Sequence, residues 1–185
     1  MSFRKEKYEE WLNNSSKCRI AFKEFVKKGH VMKISESHIW SKRHLEKANH
    51  NLDFATLVAD IHRNVIKENF PNQTFHDWIT IAYYYAIYHA ALALLANIGY
   101  KSKSHMETLC GVILYYYHKN KILDKKHIEV LKQMDQESIE QFIEAQNLRE
   151  RASYGVGVSF EERLSAMAKN DAIEFVNKAK EILEK

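Results

Sequence analysis

The sequence predicts an all-α fold, an up-and-down bundle of four to five helices with an extra helical arm at its N-terminal end. One proline and five glycines in 185 residues leave little material for turns, and no regular two-residue hairpin signals appear. Most segments repeat apolar residues at three- and four-residue spacing. The third observation is the stretch FHDWITIAYYYAIYHAALALLANIGYKSKSHMETL, residues 75–109. Between Asp77 and Lys101 the only residue there that carries charge near neutral pH is His89. One helical face holds Ile79, Ala82, Tyr83, Ala86, Ala90, Ala93 and Leu94, and a second holds Ile81, Tyr85, Tyr88, Leu92 and Leu95. A helix apolar nearly all round is buried on several sides, at the centre of a bundle or between a bundle and a second subunit.

The other elements follow in chain order. Residues 4–28 repeat Tyr8, Trp11, Leu12, Ser15, Phe22, Phe25 and Val26 on a helical period, and the polar quartet at 13–16 can split them into two helices. Gly29 is a C-terminal stop. A second long helix runs from about residue 37 to 65, with Leu45, Ala48, Leu52, Ala55, Ala59 and His62 on one stripe, and Pro71 with its polar neighbours breaks it. The apolar central helix follows, to about Ile98. Residues 99–103 form a turn, and Ser104 with Glu107 forms a capping box. That box opens a helix carrying Met106, Leu109, Cys110, Ile113 and Leu114, which frays after three consecutive tyrosines at 115–117. Asp124 is the N-cap of a long helix through Ile128, Leu131, Met134, Phe142, Ala145 and Leu148 to about Ser153. Gly155 and Gly157 open a loop. Ser159 with Glu162 caps the last helix, marked by Ala168, Ala172, Phe175, Ala179 and Ile182. The domain reading is an arm at 1–30 and a bundle at 36–185.

Composition restricts the function classes. A net charge of +4 permits nucleic-acid contact without a clustered basic footprint to argue for it. The central helix is about long enough to cross a bilayer. Its tyrosines, His89, Thr80, Asn97 and alanine-rich apolar content, with a mean hydropathy of −0.48 for the whole chain, favour a core helix over a span. The first residues, MSFRKEKYEEW, lack a signal-peptide apolar core. Cys18 and Cys110 lack paired spacing, so the expected compartment is reducing and cytoplasmic.

Ten histidines invite a metal reading, but none fall at i, i+4 on one helix with a third ligand nearby. Gly155-Val156-Gly157 lacks the following lysine or third glycine of a phosphate loop, and no cofactor is expected. His89 must find a hydrogen-bond partner or face a cavity, since a lone imidazole in an apolar helix otherwise goes unsatisfied. His105 follows a capping serine near Lys101 and Lys103. Arg149 and Arg151 lie two residues apart in LRERASYG, so they do not share a helix face.

Taken together, YYAIYHAA at 84–91, GYKSKSH at 99–105 and LRERASY at 148–154 resemble the HEPN family of small prokaryotic helical proteins. The resemblance covers about residues 36–185 and leaves the segment before Gly29 outside. It implies a homodimeric bundle that often works beside a minimal nucleotidyltransferase, in toxin–antitoxin or defence pairs. Many members are metal-independent ribonucleases with Arg-(x)4–6-His at the end of the long helix. There the arginine steadies phosphate charge and the histidine moves the proton of the ribose 2′-hydroxyl. Here Tyr154 stands where that histidine is expected after Arg149. A phenol with a pKa near ~10 is a poor general base. The expected function is therefore dimeric binding of a nucleotide or RNA phosphate, or docking of a nucleotidyltransferase, with Arg149, Arg151, Tyr154, His89 and His105 as candidate ligand-binding residues. The alternative is a ribonuclease toxin with a rearranged site. No membrane partner is expected.

Overall fold

The computed structural model describes residues 3–70, 75–132 and 160–185. Within them the chain is an all-α bundle with one two-stranded clip. Its helices are α1 (Phe3–Asn13), α2 (Ser15–Lys27), α3 (Ser37–Ile61), α4 (His76–Asn97), α5 (His105–Val112), α6 (Lys125–Lys132) and α7 (Phe160–Leu183). The strands are β1 (Val31–Lys33) and β2 (Tyr100–Ser102).

The polar quartet does split the arm. Asn14 is extended, and its side-chain oxygen accepts the Lys17 amide at 3.0 Å, satisfying a donor that the first turn of α2 leaves open. Gly29 ends α2 with φ of 71°. His30 N–H donates to the Phe25 carbonyl at 2.9 Å and Gly29 N–H to Val26 at 3.1 Å, the two bonds of a Schellman stop. The chain then pairs antiparallel with the segment after α4, Val31 opposite Ser102 and Lys33 opposite Tyr100. This clip joins the arm to the turn at Gly99, whose φ is 83°.

Close approach of α3 and α4 follows from small side chains. Ser41, Ala48 and Ala55 recur every seven residues on α3, and each is buried. The Ser41 hydroxyl donates directly to the Ala93 carbonyl of α4 at 3.0 Å, which only closely packed backbones allow. On the other side, α7 covers α4 with Ala168, Ala172, Phe175, Val176, Ala179 and Ile182. The stripes read from sequence on both helices are therefore the core-facing ones. Fully buried Tyr83, Ile87, Leu94 and Leu95 make α4 the axis of the bundle, each such side chain adding about 1.5–3 kcal/mol. Among the described residues α4 is also the helix long and apolar enough to cross a membrane, and 72% of its apolar window is buried inside the protein.

The two apolar faces of α4 differ. Every residue of the first face is buried, whereas on the second Tyr85 is 38% exposed and Trp78, on the same side, 64%. Two wide, π-type turns extend helices that periodicity reads as continuous: His62–Ile66 after α3 and Ile113–Lys119 after α5. The second turns inward through Tyr116, whose hydroxyl donates to the Leu94 carbonyl at 2.9 Å and accepts from Asn97 at 3.3 Å. The arm lies on this region. Tyr8, Trp11, Leu12, Cys18 and Phe22 join the same core as α4 and α5. Gly111 permits that contact, since a β-carbon there meets Leu95 Cδ1 at 2.5 Å and Phe22 Cε2 at 3.0 Å.

Candidate functional site

The structure brings His89 and His105 to one tyrosine, Tyr88. Tyr88 and His89 are neighbours on the half-covered face of α4, and His105 opens α5 directly after the clip. The His105 ring stacks on Tyr88 with centroids 3.8 Å apart and planes at 28°. His89, the next residue along α4, has its ring 6.0 Å from that of Tyr88. From His89 the row continues onto α3 through His44 and Trp40, where the Arg43 guanidinium lies 5.6 Å from the indole centroid. The result is a line of imidazoles and aromatic rings across α3, α4 and α5.

The contact between His44 and His89 is specific. Their Nδ1 atoms are 3.3 Å apart while the ring centroids are 5.5 Å apart, so the rings meet through those nitrogens. One nitrogen donates and the other accepts, so a single proton serves the pair. A second proton would set two N–H groups against each other. Half-burial pushes the His89 pKa down to about 4, with the neighbouring His44 and Lys47 charges adding to it, and burial lowers His44 as well. Both rings are therefore neutral near pH ~7.

Beside His105 lies a polar shell that fixes the turn. Ser104 sits at the N-cap of α5, as the capping pattern expects, but its hydroxyl donates to the Glu107 carboxylate side chain. Glu107 is only 6% exposed and also meets His30 Nδ1 at 3.4 Å. Thr108 donates to the Ser104 carbonyl at 2.8 Å, and its hydroxyl also lies 2.6 Å from that of Ser102. Burial raises the Tyr88 phenol, against a hydrogen bond with Thr108 that lowers it. Under this shell a cavity of about 10 Å³, lined by Tyr8, Tyr88, His105 and Leu131, has room for no more than one water.

Of the candidate residues, His89 and His105 share this row. Arg149, Arg151 and Tyr154 lie outside the described residues. His44, Tyr88 and Trp40 were not singled out by sequence. His44 is 45 positions from His89, so only the antiparallel register of α3 on α4 reveals the pair. Among the described residues no group of three or more His, Cys, Asp or Glu side chains is placed to hold a metal ion. No family model matches the chain, and a search of the curated proteins finds no match.

Proposed function

We propose that this chain is a HEPN-like binding protein of the cytoplasm, active as a homodimer, and that its ligand carries phosphate. In this reading Arg149 and Arg151 supply planar guanidinium donors to phosphate oxygens. Tyr154 donates a hydrogen bond where the family's ribonucleases hold a base. His89 and His105 border the same cleft, and a minimal nucleotidyltransferase is the protein partner that the resemblance suggests.

The observation that carries binding over catalysis is the engaged state of the two imidazoles. A general base works best with a pKa near the working pH and a free nitrogen aimed at the substrate. His89 has a pKa of about 4 and spends Nδ1 on His44, and His105 is stacked on Tyr88. Dimerisation draws support from the half-covered side of α4. Trp78 and Tyr85 are exposed there, and Phe54, Leu57, Ile61 and Val65 on α3 and the turn after it are 36–58% exposed. Apolar side chains grouped in this way mark a surface that another chain covers.

Two measurements test the reading. Sedimentation at micromolar concentration gives a dimer, and a stable monomer contradicts it. Calorimetric titration with short single-stranded RNA gives binding that Arg149→Ala or Arg151→Ala weakens strongly, with a reduced salt dependence, and that Tyr154→Phe weakens modestly. Failure of the RNA to bind removes this reading of Arg149, Arg151 and Tyr154.

A further inference from the structure

A second cleft lies at the junction of arm and bundle, built from residues the functional reading does not use. Helix α2 and the wide turn Ile113–Lys119 enclose a half-open cavity of about 570 Å³. Its aromatic floor is made by Phe22, Tyr100 and Tyr115. Phe22 meets both tyrosines edge-on, at 5.2 and 5.5 Å, and the tyrosines lie 6.2 Å apart. Its rim is cationic. Arg19 and Lys23 stand one helical turn apart on exposed positions of α2, and Lys119 stands opposite, its ammonium 5.4 Å from the centre of the Tyr115 ring.

The charge is one-sided. Among the described residues no carboxylate lines the cavity and none forms an ion pair with Arg19, Lys23 or Lys119. Three cations around a low-dielectric aromatic floor concentrate positive potential in the cleft and attract an anion. His118 at the wall is fixed by Nε2, which donates to the Trp11 carbonyl at 2.7 Å, so it anchors α1 and the cleft keeps its shape. Burial and a hydrogen bond with Tyr100 push the Tyr115 phenol up to about 12. Tyr115 therefore stays neutral and adds no negative charge against an anion.

We propose that this cleft binds a nucleoside phosphate, with the base on the Tyr100–Tyr115 floor and the phosphates on Arg19, Lys23 and Lys119. The volume falls within the range of about 300–1,000 Å³ that small-molecule sites occupy. The chemistry needs both halves of the ligand. The aromatic floor has no use for inorganic phosphate, and the cations have none for a neutral nucleoside. Lys119 covers one face of Tyr115 when the cleft is empty. A stacked base displaces that ammonium towards the phosphates, exchanging a cation–π contact for an ion pair.

Calorimetric titration of the full chain with ATP, AMP, adenosine and inorganic phosphate tests this. ATP binds tightest and AMP next, with adenosine and inorganic phosphate each at least about tenfold weaker than AMP. Arg19→Ala and Lys119→Ala, at exposed positions that leave melting unchanged, each weaken ATP about tenfold and flatten its salt dependence. Tyr115→Phe retains binding, whereas Tyr115→Leu, checked by circular dichroism to be folded, loses about tenfold or more. Arg149→Ala with Arg151→Ala leaves ATP affinity here unchanged, which separates this cleft from the proposed RNA-phosphate site. The proposal is overturned if ATP does not bind, if binding survives both Arg19→Ala and Lys119→Ala, or if it disappears only with Arg149 and Arg151.

Discussion

Acid should destabilise this fold through the His44–His89 pair. His89 has a pKa of about 4 in the folded chain against an ordinary value of 6.5. A base with a depressed folded pKa binds its proton more readily when unfolded. Its contribution to stability is thus fully present above pH ~6.5 and is lost as pH falls towards ~4. One extra proton taken up on unfolding changes stability by about 1.4 kcal/mol per pH unit. The full shift would amount to about 3 kcal/mol, but the ring is only half-buried and solvent screens it, so about 1–2 kcal/mol is expected. The perturbation is His89→Asn, which keeps a short polar group near the position of Nδ1 and removes the titration. Urea unfolding of both proteins at about pH 7 and about pH 4.5 isolates the pair, because carboxylate titrations common to both cancel in the difference. The wild type should lose about 1–2 kcal/mol more than the variant between those conditions. Equal losses would mean that burial does not hold His89 below its ordinary value in the folded chain.

Three further expectations rest on packing. Gly111→Ala should cost about 1–2 kcal/mol in urea unfolding, because overpacking against Leu95 and Phe22 exceeds the gain in helix propensity; an unchanged midpoint contradicts the close crossing of α2 on α5. Tyr116→Phe should cost about 1–1.5 kcal/mol by removing the bond to the Leu94 carbonyl, measured in the same way. The Cys18 and Cys110 sulfurs are buried 3.9 Å apart, and their mutual contact and burial push the Cys110 thiol far up. A thiol reagent at neutral pH should therefore label neither in the native protein and both after denaturation; rapid native labelling of Cys110 contradicts the docked arm.

Much of the architecture was legible because it rests on local signals. Asn14, Gly29 and Asp124 act where their side chains or backbone freedom place them, and Asp124 Oδ1 accepts the His127 amide at 3.1 Å. The stripe through Leu45, Ala48, Leu52 and Ala55 on α3 and the apolar faces of α4 were readable as helical periodicity, whereas the close α3–α4 approach through Ser41, Ala48 and Ala55 is seen only in the structure. What stayed hidden depends on distant partners. Val31-Met32-Lys33 and Tyr100-Lys101-Ser102 are too short to read as strands alone and gain meaning only by pairing. The wide turns at 62–66 and 113–119 keep helical composition while shifting register, so a 3.6-residue period passes over them. Site geometry was least visible. His89 was recognisable as an imidazole needing a partner, yet nothing in the spacing pointed to His44. Likewise Arg19 and Lys119, one hundred positions apart, face each other only because the arm folds back onto the bundle.

The proposed role, holding a phosphate ligand without cutting it, has a direct test. Incubating end-labelled single-stranded RNA with the purified protein at micromolar concentration, and resolving the products on native and denaturing gels, tests it directly. A shifted band on the native gel with intact RNA on the denaturing gel is the predicted result. Cleavage that the Arg149→Ala variant abolishes would contradict it and make the chain a ribonuclease.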